Sequence, residues 1–373
     1  MIMKKILFVF GTRPEAIKLA PLIKEMEKDR KSFRVIVALT AQHRALLDQV
    51  LDFFKIKADY DLNLMKPGQS LFDITAASLR GLEKVLADSR PDLVVVQGDT
   101  TTAFAAALAA YYRQIPVAHI EAGLRTDDKY SPFPEEINRR LISQLADHNF
   151  APTAGAARNL ARAGVRRPAH VVGNTVIDAL RLGLATIKQS RRDFAKDFPG
   201  LDFRKRLILV TGHRRENFGA PLEDICAALR DIARAFPDLQ IVYPVHPNPQ
   251  VKRTVEKSLG AIRNIRLLPP LAYPRLIWLM SRSYFIITDS GGLQEEAPFL
   301  GKPLLVTREK TERPEGVRAG TAILVGHERR KIVRAARRLL TDAAAYRRMS
   351  RAGSPYGDGT SSRKIVKILK NIK

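Results

Sequence analysis

The chain has 373 residues, 45% hydrophobic and 27% charged, a length that predicts two domains and a composition that excludes a disordered protein. Its formal charge of +25 requires a polyanion binder to be weighed, but there is no zinc-finger spacing and no RNP-like aromatic set, and aromatic content is only 7%. No stretch reaches the ~18 consecutive apolar residues of a membrane span, and the single Cys226 cannot build an internal disulfide framework, so a cytoplasmic protein is expected.

In chain order, "MIMKKILFVFG" has a charged pair and too short an apolar run for a spanning helix, and reads as a first strand. Helical patterns then alternate with β-rich runs: "KILFVF", "FRVIVAL", "DLVVVQ", "VAHIEA", "HNFAP" and "HVVG", followed by "RLILVT", "LQIVYPV", "NIRLLP", "YFIIT", "PLLVT" and "AILVG". Strands that are apolar throughout have both faces covered, so each half is expected to be a doubly wound, largely parallel α/β sheet, the two facing a cleft. The charged segment "LATIKQSRRDFAKDFPGLDFRKR" separates the halves. The expected division is 1-178, 179-354 and a C-terminal amphipathic helix, 355-373, able to pack back on the N-terminal domain. Cys226 falls on the apolar face of "PLEDICAALRDIARAF" and reads as a buried, inert thiol. In "HERRKIVRAARRLL", Ile332, Val333, Ala336, Leu339 and Leu340 share one helical face, leaving the arginines solvated; polyanion attraction is then a side effect.

Ligands of such sheets bind beyond the carboxyl ends of the strands, and several exits here are polar. In "FGTRPEAIK", Thr12, Pro14 and Glu15 suit a helix start, but Arg13 and Lys18 put cations where the helix dipole disfavours them, which an anion would explain. "QGDTTTAF" puts Asp99 at a strand end, either as a helix cap or as a functional acid. "HIEAGLRTDDKYSPFPEEINRR" supplies Glu121, then Glu135 and Glu136, either of which also suits a first helical turn. In the second half "LVTGHRRENFG" carries His213 and Arg214 out of a strand, and "PVHPNP" carries His246. "TDSGGLQEEAPFLGKP" ends a strand and opens a helix, leaving backbone N–H groups for a phosphate. Glu295 and Glu296 then either neutralise that helix start or bind hydroxyls beside the phosphate. Acids from one half, with a histidine and an anion turn from the other, suit a phosphorylated sugar. The absence of H-E-x-x-H, cysteine clusters, calcium loops, G-x-G-x-x-G and P-loops leaves no expected metal or dinucleotide.

"FGTRPEAIKLAPL", "TAQHRALLDQV", "GDTTTAFAAALAA", "EAGLRT", "YSPFPEEINRR", "GNTVIDAL", "VTGHRRENFG", "TDSGGLQEEAP", "TERPEG" and "SPYGDG", in that order, resemble the non-hydrolysing UDP-N-acetylglucosamine 2-epimerase family. The resemblance implies a GT-B fold of two Rossmann-like domains, no cofactor, and interconversion of UDP-GlcNAc and UDP-ManNAc by elimination and re-addition of UDP through a glycal. It implies catalytic roles for Asp99, Glu121, Glu135 and His213, with no order of acid and base among the carboxylates. Arg13, Lys18, Ser290, Gly291, Gly292 and Arg313 are implied to bind substrate, chiefly its diphosphate, and Glu296 the ribose. Many bacterial members bind UDP-GlcNAc as an activator in a neighbouring pocket, matched here by Gln42, His43, Glu135, Arg214 and His246; Ala45 and Gly68 depart from that pocket's pattern. A homodimer without membrane insertion, supplying ManNAc for cell-surface polysaccharide, is also implied. The alternatives are an epimerase of a UDP-diacetamido uronate, a GT-B glycosyltransferase, and a basic nucleic-acid-binding protein.

Overall fold

The computed structural model describes residues 3–40, 44–65, 68–212, 214 and 217–372. The chain forms two compact units, Met1–Leu182 with Tyr356–Lys373, and Gly183–Pro355. In the first, strands β1 (Lys4–Phe10), β2 (Phe33–Leu39), β3 (Tyr60–Asp61), β4 (Leu93–Gln97), β5 (Val117–Ile120), β6 (His148–Ala151) and β7 (Ala169–Val171) alternate with helices. Those helices are α1 (Arg13–Glu27), α2 (Arg44–Phe54), α3 (Leu71–Ser89), α4 (Thr101–Tyr112), α5 (Glu135–Leu145), α6 (Ala154–Arg162) and α7 (Thr175–Gln189), the last running into the second unit.

The second unit alternates β8 (Leu207–Thr211), α8 (Ala220–Ala235), β9 (Gln240–Pro244), α9 (Pro249–Leu259), β10 (Ile265–Leu268), α10 (Tyr273–Arg282), β11 (Phe285–Thr288) and α11 (Gly291–Phe299). It continues through β12 (Leu304–Val306), α12 (Pro314–Arg318), β13 (Ala322–Leu324), α13 (Arg329–Thr341) and α14 (Ala343–Ser350), before α15 (Ser361–Asn371) rejoins the first unit.

Every described strand pairing is parallel, in the orders β3-β2-β1-β4-β5-β6-β7 and β10-β9-β8-β11-β12-β13. Alternate residues of β8 enter opposite cores: Ile208 and Val210 pack with α8 and α13, while Leu207 and Leu209 pack with Leu279, Met280 and Ala297. Burial on both faces is why these strands lack hydrophobic alternation. The first sheet has one strand more than the six apolar runs suggest. Tyr60–Asp61 is two residues long and only partly buried, so it carries no apolar run to read.

Cys226 is fully buried in the α8 core, and burial pushes its thiol up to about 12. In α13, Ile332, Ala336, Leu339 and Leu340 are buried as the spacing predicts, and Val333 packs partly buried beside them.

The C-terminal helix α15 packs on α1. Its start is held from α7: the Asp178 carboxylate accepts the N–H groups of Ser361 at 3.1 Å and Ser362 at 2.8 Å. The Asn174 N–H donates to the Tyr356 carbonyl at 2.7 Å. Gly173 makes this approach possible. It has φ +92°, and a Cβ there would lie 2.6 Å from Ser361 Oγ.

Candidate active site

Both strand orders reverse once, between β1 and β4 and between β8 and β11. At such a reversal the adjoining crossovers leave on opposite faces, opening a crevice beyond the strand ends where ligands bind. The exit of β1 carries Gly11 to Arg13, that of β4 carries Asp99, that of β8 carries Gly212 and Arg214, and that of β11 carries Asp289 to Gly291. Four of the polar motifs therefore stand at the two reversals, while Glu121 follows β5 and His246 follows β9.

In the first unit Gly11 is required by close packing, since a Cβ would meet Thr40 Oγ1 at 2.1 Å and Thr102 Oγ1 at 3.0 Å. The buried Glu15 accepts the N–H groups of Gly11 at 3.1 Å and Thr12 at 2.8 Å, and the Thr100 hydroxyl at 2.6 Å. Burial raises the Glu15 pKa above its ordinary value, and these hydrogen bonds oppose the shift. One turn further along α1, Lys18 pairs with Glu121 just past β5, and the Gln97 amide donates to the same carboxylate oxygen. Glu121 has φ +67°, a left-handed backbone that non-glycine residues adopt at some cost.

Asp99 is gripped by Arg139 of α5 through Nε at 2.9 Å and through Nη2, while Asn138 donates to its carbonyl at 3.0 Å. Arg139 also reaches Glu136 at 3.2 Å. Glu136 accepts from Arg140 at 2.8 Å and from the Thr126 N–H at 3.1 Å. Glu135, next in sequence, differs: its Oε2 is buried and has no hydrogen-bond partner among the described residues. His119 lies fully buried beneath, bonded through Nε2 to the Gly98 carbonyl at 2.7 Å. A carbonyl only accepts, so Nε2 carries the hydrogen. Burial pulls this imidazole down to about 4, the Gly98 bond opposing.

In the second unit the fully buried Asp289 accepts the Arg214 N–H at 3.0 Å and the Asn217 amide at 3.1 Å. Thr288 bonds Thr211 across the β8–β11 pair at 2.7 Å and accepts the Ser290 N–H at 2.9 Å. Helix α11 then begins, and its first N–H groups, from Gly291 and Gly292, have no acceptor within the helix. A Cβ on Gly291 would lie 3.0 Å from the Arg313 guanidinium, whereas one on Gly292 would meet only Ser290 Oγ, at 4.0 Å. Arg313 donates to Glu295 at 2.9 Å and lies 3.6 Å from Glu312, which Arg308 also pairs at 2.6 Å. Burial would raise the Glu312 pKa, but Arg313 and Arg308 outweigh it and hold the carboxyl at about 2. Glu296 faces elsewhere and accepts the Tyr273 hydroxyl at 3.3 Å.

The two glutamates are thus distinguished. Neither lies in the first turn of α11: Glu295 is the counter-ion of Arg313, and Glu296, 5% exposed, is oriented by Tyr273. The reading in which they neutralise the helix start is corrected, because α11 begins at Gly291 and both glutamates lie beyond its first turn. Asp99 is likewise not the cap of α4; Thr100 is, accepting the Ala103 N–H at 3.0 Å. Arg13 is half-buried at the first position of α1. His246 accepts the Asn248 N–H at 3.2 Å and lines a groove of about 390 Å³ with Lys252, Glu256 and Leu268. Arg214 Nη2 is 3.9 Å from Glu312. Gln42, His43 and His213 lie outside the described residues. Arg139, Gln97, Tyr273 and Glu312 carry no signal in sequence spacing, since each reaches its partner across the fold.

The UDP-N-acetylglucosamine 2-epimerase family model matches residues 24–370. The Salmonella typhimurium UDP-N-acetylglucosamine 2-epimerase is 53% identical over 373 residues, covering 99% of each chain. The crystal structure of the Neisseria meningitidis UDP-GlcNAc 2-epimerase bound to UDP-GlcNAc superposes with a TM-score of 0.91 at 48% identity, covering 98% of this chain and 99% of that one. S. aureus MnaA, in a structure with UDP, gives 0.88 at 48% identity, covering 99% of this chain and 96% of that one. The chain belongs to the UDP-N-acetylglucosamine 2-epimerase family.

Proposed function

We propose that this chain interconverts UDP-GlcNAc and UDP-ManNAc by elimination and re-addition of UDP. The observation that carries the reading is the set of acids on one unit: Asp99 paired with Arg139, Glu121 with Lys18, and Glu135 with a buried oxygen that has no described partner. Inverting C2 requires removing its hydrogen as a proton and returning one to the opposite face. One carboxylate takes the C2 proton, the C–H electron pair becomes the C1–C2 double bond of the glycal, and the C1–O pair departs with UDP. On return a second acid protonates C2 from the other side and UDP rejoins C1. Arg13, Lys18 and His213 stabilise the charge that develops on the leaving diphosphate. Ser290, Gly291 and Gly292 present a helix start to phosphate beside Arg313, and Glu296 takes ribose hydroxyls. An activator role for Gln42, His43, Arg214 and His246 belongs to the same reading.

A homodimer fits the outward apolar side chains of the adjacent helices α3 and α4, where Phe72 is 87% and Tyr112 68% exposed. A cytoplasmic site suits a lone, buried cysteine. No described helix is long and apolar enough to cross a membrane.

The test combines isotope and mutation. Reaction in D₂O should place deuterium at C2 of the product. Asp99→Asn, Glu121→Gln and Glu135→Gln should each lose about 10²–10⁴-fold in turnover while remaining folded and still binding UDP. Retention of the original C2 hydrogen, or three near-wild-type variants, would overturn the mechanism.

A further inference from the structure

We infer that Glu15 is a positioning residue, holding the turn that carries Arg13 and Lys18 in register with the turn that carries Asp99. The inference rests on the reading of Asp99 as an essential carboxylate. Glu15 is 1% exposed, and its two oxygens are divided. Oε2 accepts the Gly11 and Thr12 N–H groups of its own turn, while Oε1 accepts the hydroxyl of Thr100, 85 residues away and directly after Asp99. A helix start needs only the first pair.

The third bond spans neighbouring strand exits, because β1 and β4 are paired in the sheet. Thr100 serves both sides at once: its hydrogen goes to Glu15, while its oxygen accepts the Ala103 N–H and caps α4. A parallel link nearby, Thr40 Oγ1 to Thr102 Oγ1 at 2.9 Å, closes tightly over Gly11. The burial that raises the Glu15 pKa makes this a costly carboxylate to retain for capping alone. Its function is to transmit the position of one turn to the other, so that the group acting at C2 meets a substrate whose diphosphate is already held.

The experiment uses the full-length chain and measures kcat and KM for UDP-GlcNAc, UDP affinity and the melting temperature. Thr100→Val deletes the inter-turn bond at nearly constant shape, and Thr100→Ser keeps it. Thr153→Val removes a helix cap of the same kind, the one Thr153 makes to the Ala156 N–H at 3.1 Å, at a helix with no described bond to Glu15. Misplacement by ~1 Å lowers turnover by about 10²-fold, so Thr100→Val should lose about that much in kcat with UDP affinity unchanged. Thr100→Ser should restore kcat, and Thr153→Val should melt earlier at full kcat. Glu15→Ala removes both oxygens and should lower kcat, and adding Thr100→Val to it should lower kcat no further, because both substitutions break one link. Equal kcat in Thr100→Val and Thr153→Val, or additive losses in the double variant, would overturn the inference. Asp99→Asn separates the two levels. If it is inactive beside a fully active Thr100→Val, only the inference falls; if it is active, the reading of the site falls with it.

Discussion

Gly291 sits where any side chain would have to displace a guanidinium that is already committed. Its missing Cβ leaves room for Arg313, which a Cβ there would meet at 3.0 Å and which pairs with Glu295. Gly291→Val should therefore weaken UDP binding by shifting Arg313 as well as by crowding the phosphate, and calorimetric titration will show unchanged affinity if the turn does not hold phosphate. Glu296→Gln retains the shape and the Tyr273 contact but removes the charge. The loss of a charge-assisted hydroxyl bond should cost roughly 1.5–3 kcal/mol of UDP affinity.

His119 makes a pH prediction with a definite sign. Its folded pKa, about 4, lies below the unfolded value of 6.5, so the unfolded chain binds more protons between these values. The stabilisation is present above pH 6.5 and is lost as pH falls through that window. From pH 7 to 4.5 this residue alone should remove about 2 kcal/mol of stability. His119→Gln, which keeps a donor for Gly98, should flatten that part of the urea-denaturation profile.

Among the elements, α15 has its start held by a remote side chain of α7. The buried Asp178 carboxylate satisfies two N–H groups at its start, and Ser361 and Ser362 are themselves buried. Asp178→Ala leaves both without a partner, at roughly 1–3 kcal/mol for each. Hydrogen exchange of α15 should accelerate before that of β1, and equal protection of the two would mean that packing on α1 alone holds the helix. The helix itself is legible in "SRKIVKILKNIK", whose spacing gives the buried Ile365 and Leu369. Its attachment is not, because Asp178 lies 183 residues from Ser361 and nothing local marks the pair. Strand β3 was illegible for the opposite reason, being too short to carry a pattern.

At the scale of the molecule, 63 Lys and Arg face 38 Asp and Glu. Most described ion pairs have at least one exposed partner and contribute little, whereas the excess of like charge repels over the whole surface. Raising NaCl from ~10 to ~150 mM shortens the Debye length from about 30 Å to about 8 Å and should raise the melting temperature. A fall would show that attractive pairs dominate the surface field.

The sequence by itself determined the two parallel sheets, because continuous apolar runs such as "KILFVF" and "RLILVT" fit only strands covered on both faces. It also marked Arg13, Lys18, Asp99, Glu121 and Gly291, since cations at a helix start, acids at strand exits and glycines at a turn each violate or invite a local rule that a single chain segment can display. Which strand exits stand together was decided by strand order, and strand order is a tertiary property. Only the pairing of β1 with β4 sets Glu15 against Thr100, and only the pairing of β8 with β11 brings Asp289 to Arg214 and Asn217. The counter-ions Arg139, Glu295 and Glu312 emerged for the same reason: a charge reveals its partner when the fold brings the two within bonding distance, and spacing along the chain carries no trace of it.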